Sequence, residues 1–97
     1  MQLTNEELAC IEDAAYKGFE IKQVAHLLGK PIQDFELLFT EENHPAALSY
    51  MKGIYQAQSD LRAAVIQSAI SGSSPAQAEM KKHLEGAMAS LNILMGQ

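Results

Sequence analysis

The chain has 97 residues, one cysteine, and twelve acidic residues against seven lysines and arginines, for a net charge of −5. A lone cysteine excludes an internal disulfide and points to a reducing cytoplasm, while no run approaches the roughly 20 apolar residues that span a bilayer. The acidic start MQLTNEEL lacks the basic and apolar regions of a secretion signal, so a mature cytoplasmic protein with no membrane partner is expected.

Strand signals are nearly absent, because β-branched residues are scattered without alternation. Helix signals are well punctuated. A first helix is expected over 5–17. Thr4, followed three residues later by Glu7, makes a capping box, and Leu3 and Leu8 can staple around it. Leu8, Ile11 and Ala15, with Ala14 and Cys10, form its apolar face, and Gly18 supplies a left-handed stop. Cys10 reads as a small core residue.

A second helix is expected from 20 or 21 to 28, with Ile21, Val24, Ala25 and Leu28 on one face and Gly29 at its end. Lys30-Pro31 makes a turn, since proline suits a first helical position. A third helix over 31–39 should bury Ile32, Phe35, Leu38 and Phe39. The polar stretch Thr40-Glu41-Glu42-Asn43-His44 connects to a long fourth helix over 45–71, capped by Asn43 or His44. Its stripe is Tyr50, Ile54, Ala57, Leu61, Ala64, Val65 and Ala69. Gly72-Ser73-Ser74-Pro75 breaks the pattern. Ser74 is the expected cap of a fifth helix over 75–95, with Gln77 completing a second capping box. Met80, Leu84, Ala87, Met88, Leu91, Leu94 and Met95 line that helix. His83, beside Lys81 and Lys82, is expected on its solvated face. Gly53 and Gly86 fall inside helices, where each costs about 1 kcal/mol against alanine. A close helix crossing or a local kink would account for either.

The expected fold is therefore all-α. A three-helix helix-turn-helix unit occupies residues 1–40, and a long αα-hairpin over 41–97 serves oligomerisation. The helix-turn-helix reading rests on Ala25 where two helices touch, Gly29 four residues later, and Val24, Leu28, Ile32, Phe35 and Leu38 facing inward. In that motif the third helix enters the major groove of DNA. Lys22, Lys30, Gln33, Leu37 and Thr40 are then the candidate contacts, with Gln33 able to read adenine edges and Thr40 to touch phosphate. Up to residue 43, however, nine carboxylates face only three lysines. Phosphate contacts need basic side chains, so duplex DNA should be held weakly or through the avidity of many copies. The candidate subunit interface comprises Tyr50, Ile54, Leu61, Val65, Met80, Leu84, Met88, Leu91 and Met95. Lys52, Arg62, Lys81 and Lys82 give the last two helices a slight basic surplus over Asp60, Glu79 and Glu85, suited to DNA phosphates.

Three pieces of the second half carry a family flavour: Tyr50-Met51-Lys52-Gly53, Leu61-Arg62-Ala63-Ala64-Val65-Ile66, and Gly72-Ser73-Ser74-Pro75-Ala76-Gln77. Following a helix-turn-helix and an acidic connector, they make nearly the whole chain resemble phage small terminase subunits. The resemblance implies a non-catalytic protein that assembles into rings through its hairpin. Such a protein recognises the packaging start on viral DNA and regulates the ATPase and nuclease of a large terminase subunit. The acidic third helix departs from the family pattern, as does the lack of a long basic tail.

No phosphate-binding loop G-x-x-x-x-G-K-[ST] occurs, and no paired cysteine or closely spaced histidines suggest a metal. No enzyme activity, metal or cofactor is expected. Two other readings stand beside the packaging adaptor: a dimeric helix-turn-helix transcription regulator, and a helical protein-interaction module that does not bind DNA.

Overall fold

A computed structural model describes residues 1–96. It is all-helical, with five helices: α1 (Asn5–Tyr16), α2 (Ile21–Leu28), α3 (Ile32–Leu38), α4 (Pro45–Ile70) and α5 (Ser74–Met95). The three short helices and the long hairpin follow the expected architecture.

Local chemistry sets the helix ends. The Thr4 hydroxyl accepts from the Glu7 N–H at 3.0 Å, and the Glu7 carboxylate accepts from the Thr4 N–H at 2.9 Å. This reciprocal pair satisfies two donors that a helix start leaves orphaned. At the end of α1 the Phe19 N–H reaches back to the Ala14 carbonyl, closing the turn expected at Gly18. Gly29 adopts φ +69, while the Lys30 N–H donates to the Ala25 carbonyl and the Gly29 N–H to that of His26. That pair of bonds needs a left-handed residue, which glycine adopts without a steric penalty. The start of α2 carries a feature the sequence reading missed. The Gln23 side-chain carbonyl accepts from the Glu20 N–H at 2.8 Å. At α4 the cap is His44, whose Nδ1 accepts from the Ala46 N–H at 3.0 Å, while its Nε2 lies 3.6 Å from Glu41.

Three local expectations are corrected. Pro31 precedes α3 rather than opening it. The cap of α5 is Ser73, not Ser74: its hydroxyl accepts from the Ala76 N–H, and Ser74 is already helical. Gln77 does not close a capping box. Its amide donates across the loop to the Ala69 carbonyl at 3.0 Å, tying the end of α4 to the start of α5.

Packing divides the chain into two units, Met1–Gln58 and the remainder from Ser59 onward. The first therefore extends past the boundary expected at residue 40 and takes in the first half of α4. Its core comprises Ile11 and Ala14 of α1, Val24 and Ala25 of α2, Phe35 and Leu38 of α3, and Ala46 of α4. Leu3, Leu8, Ile21, Leu28, Phe39 and Tyr50 pack around it. Phe39 meets Phe35 edge-on with centroids 5.2 Å apart, and Tyr50 meets Phe39 likewise at 5.8 Å. Cys10 is half-buried rather than central. Ile32, expected inside, is 39% exposed. Phe35 and Leu38 are the inward residues of this short helix, and Ile32 lies on its uncovered first turn.

Gly53 is buried where α4 passes α1. A Cβ there would land on the Glu12 carbonyl oxygen and 2.9 Å from the Ala15 Cβ. Close crossing thus accounts for Gly53. Gly86 has nothing within 4 Å of where its Cβ would stand, so no crossing accounts for it.

The second unit is organised differently. Among its described residues none is buried, and α5 buries nothing along its 22 residues.

Candidate functional site

The expected DNA-contacting residues do not form one surface. Gln33, Leu37 and Thr40 come together on α3, where with Glu36 they line a shallow groove of about 380 Å³. Leu37 stands 62% exposed in it. The Thr40 hydroxyl donates to the Leu37 carbonyl at 2.7 Å, completing the helix end rather than pointing outward as a phosphate donor.

Lys22 lies elsewhere, on α2, in a second shallow patch with Phe19, Gln23, His26 and Leu27. Lys30, placed at the turn between α2 and α3, is committed to α1. Its ammonium sits 3.0 Å from the Glu7 carboxylate, both side chains about three-quarters shielded. The Thr4 N–H and then this ammonium hold the Glu7 carboxyl below its ordinary pKa. The sequence reading treated Lys30 as a free cation. The pair joins residues far apart in the chain, so no local spacing reveals it.

Two further lysines of the first unit are also engaged, whereas Lys22 is in no ion pair among the described residues. Lys17 pairs with Asp13 at 2.9 Å, which raises the lysine pKa, and Lys52 lies 3.7 Å from Glu12. On and beside α3 the situation is reversed. Asp34, Glu36 and Glu42 make no ion pair among the described residues, and Glu41 faces only His44. The face expected to meet phosphate therefore presents uncompensated negative charge.

The expected subunit-interface residues also divide. Tyr50 belongs to the first unit: its hydroxyl donates to the Phe19 carbonyl at 2.6 Å and its ring packs on the core. Burial, and then the nearby Glu20 carboxylate, push its phenol pKa up. Ile54 is half-buried in the same half of α4. Leu61, Leu84, Met88, Leu91 and Met95 stand open, Leu84 at 64% and Met95 at 74% exposure. Val65 and Met80 are half-buried. Met80, Leu84 and Met88 line an apolar groove of about 520 Å³ with Ala69, Gln77, Lys81 and Glu85. His83, expected on the solvated face, is half-buried. Arg62, Lys81 and Lys82 carry no ion pair among the described residues.

No helix among the described residues is long and apolar enough to cross a membrane. Among those residues no three histidine, cysteine or carboxylate side chains cluster as metal ligands would. No family model, curated protein or solved structure matches the chain.

Proposed function

We propose that this chain is a non-catalytic, self-assembling adaptor of the genome-packaging kind, acting as the small terminase subunits it resembles act. Copies associate through the α4–α5 hairpin, whose bases meet DNA, and present their N-terminal units as a repeated array to a large packaging subunit. The observation that carries this reading is the bare apolar stripe of α5. Five large side chains of that stripe, Leu84, Met88, Leu91, Leu94 and Met95, stand exposed on a helix that has no buried residue. Covering each gains about 2 kcal/mol, roughly 10 kcal/mol gross for one stripe. That total is comparable with the roughly 4–15 kcal/mol lost on association, so a second copy covering it with its own stripe is a balanced solution. A two-helix hairpin has no third layer of its own to do this.

In this reading DNA is held by number rather than by α3. Arg62, Lys81 and Lys82 carry no ion pair among the described residues, and an assembly multiplies them into a basic array with the avidity that a single copy lacks. Counterion release then makes binding fall steeply with salt.

Light scattering tests the assembly, and a duplex titration at low salt tests the DNA role. Expected are a mass of several chains and binding that is lost in Lys81→Glu/Lys82→Glu but kept in Gln33→Ala. A single-chain mass at tens of micromolar would overturn the adaptor reading. An intact assembly that ignores DNA at every salt would favour the pure interaction module instead, a reading to which the free carboxylates beside α3 already lend weight. A two-chain mass with tight operator binding would favour the transcription regulator.

A further inference from the structure

The exposed face of α3 occupies the position at which a helix-turn-helix meets its ligand, yet its chemistry is wrong for a nucleic acid. We infer that this face is a docking surface for a cationic amphipathic segment of a protein partner: a helix or extended peptide with one bulky apolar side chain flanked by lysines or arginines.

Three observations carry the inference. The first is shape and polarity. Gln33, Glu36, Leu37 and Thr40 line a shallow groove, and Leu37 is the exposed apolar side chain among them. An exposed leucine among polar side chains is unremarkable alone. Set in a groove with hydrogen-bonding neighbours, it has the form of an anchor site with a polar rim.

The second is charge. Asp34 lies three residues before Leu37 on α3, a neighbouring helical position, while Glu41 lies past the helix end in the connector. Glu36 lines the groove itself, and Glu42 follows in the connector. None of Asp34, Glu36 and Glu42 makes an ion pair among the described residues. Phosphate is repelled by such a rim, whereas an ammonium or guanidinium is attracted to it.

The third is the placement of the lysines. Lys17, Lys30 and Lys52 are each held by a carboxylate of α1, so none is available to reverse the sign of the α3 face. Lys22 lies in a separate patch on α2.

This proposal goes beyond assembly through the hairpin and does not depend on it. The test uses the full chain and, as probe, a fluorescein-labelled synthetic helix of leucine and lysine only, titrated at low and moderate salt. Leu37→Ser leaves the charge unchanged and alters an exposed position. It should weaken binding by about tenfold, the effect of losing one buried apolar anchor. Glu36→Lys should weaken it at least as much. Glu6→Lys makes the same charge change on α1 and should alter binding less than about twofold, because Glu6 does not line the groove. Amide shifts on titration should concentrate at residues 33–42. Equal melting temperatures for wild type and Leu37→Ser confirm that the fold is not the cause. Binding that ignores Leu37→Ser, or that falls equally in Glu6→Lys, would reduce the interaction to diffuse charge attraction and overturn the proposal. So would a duplex DNA that binds more tightly than the peptide and shifts the same residues.

Discussion

At the scale of single residues, two positions show how much depends on one atom or one charge. Gly53 lets α4 approach the backbone of α1, because a Cβ would occupy the place of the Glu12 carbonyl oxygen. Gly53→Ala should therefore destabilise the first unit by about 2 kcal/mol, in the range found for overpacking, despite the better helix propensity of alanine. Gly86→Ala meets nothing and should gain about 1 kcal/mol of helix propensity. Circular-dichroism melts should move in opposite directions, and a Gly53→Ala chain as stable as wild type would refute the close crossing. Glu7 supplies the second case. Its carboxyl is held below the ordinary value by the Thr4 N–H and then by Lys30. A depressed carboxylate stabilises the fold above its unfolded pKa, and the benefit is lost as pH falls through the lower folded value. Glu7→Gln should thus melt below wild type at pH 7, and the two curves should draw together as pH falls below the ordinary carboxylate range. A difference that persists in acid would assign the effect to hydrogen-bonding shape rather than to charge.

At the scale of elements, the helix boundaries were legible because caps act over a few residues. Thr4 with Glu7, and the glycines at 18, 29 and 72, make bonds that span five residues or fewer, so their spacing is visible in the chain. Legibility ended where two neighbours satisfied the same template or where the partner lay on another helix. Ser73 and Ser74 both precede a helical run, and the local pattern does not separate them. Gln77 looked like the far half of a capping box, but its partner is the Ala69 carbonyl of α4. Ser73→Ala should accordingly cost about 1 kcal/mol, as for other lost caps, and Ser74→Ala should change stability by no more than a few tenths. Chemical denaturation of the two variants reads the difference directly. Reversal of their order would move the cap back to Ser74. Ile32 failed for a related reason. Helical spacing places it near the inward stripe of Phe35, but spacing cannot say how far a seven-residue helix is covered at its first turn.

At the scale of the whole molecule, one apolar stripe of α4 is covered along its first part and open beyond it. The sequence shows a continuous run from Tyr50 through Leu61 to Ala69, with nothing in its period to mark where self-packing ends. The structure draws that line. Tyr50 is held by Phe19 and Phe39 and belongs to the interior of the first unit, whereas Leu61, Leu84 and Met88 have no such cover. The candidate site was legible as residue types but not as connectivity. Lys30 was visible as a cation, and its bond to Glu7 was not. Opposite consequences follow for two substitutions that look alike on a helical wheel. Tyr50→Phe removes one hydrogen bond, so it should cost about 1 kcal/mol in the melt and leave the solution mass unchanged. Leu84→Glu replaces an exposed apolar side chain by a charge. In an isolated chain it should be neutral or mildly solubilising, because the position is open to water. In an assembly that buries the α5 stripe, the same carboxylate loses its hydration in every copy at once, at several kcal/mol per ion. Light scattering of Leu84→Glu should then report single chains where wild type reports many, with the melt of the first unit intact. A mass that does not change would mean that the stripe faces water or another protein, and assembly through the hairpin would have to be abandoned while the α3 docking face remained open to its own test.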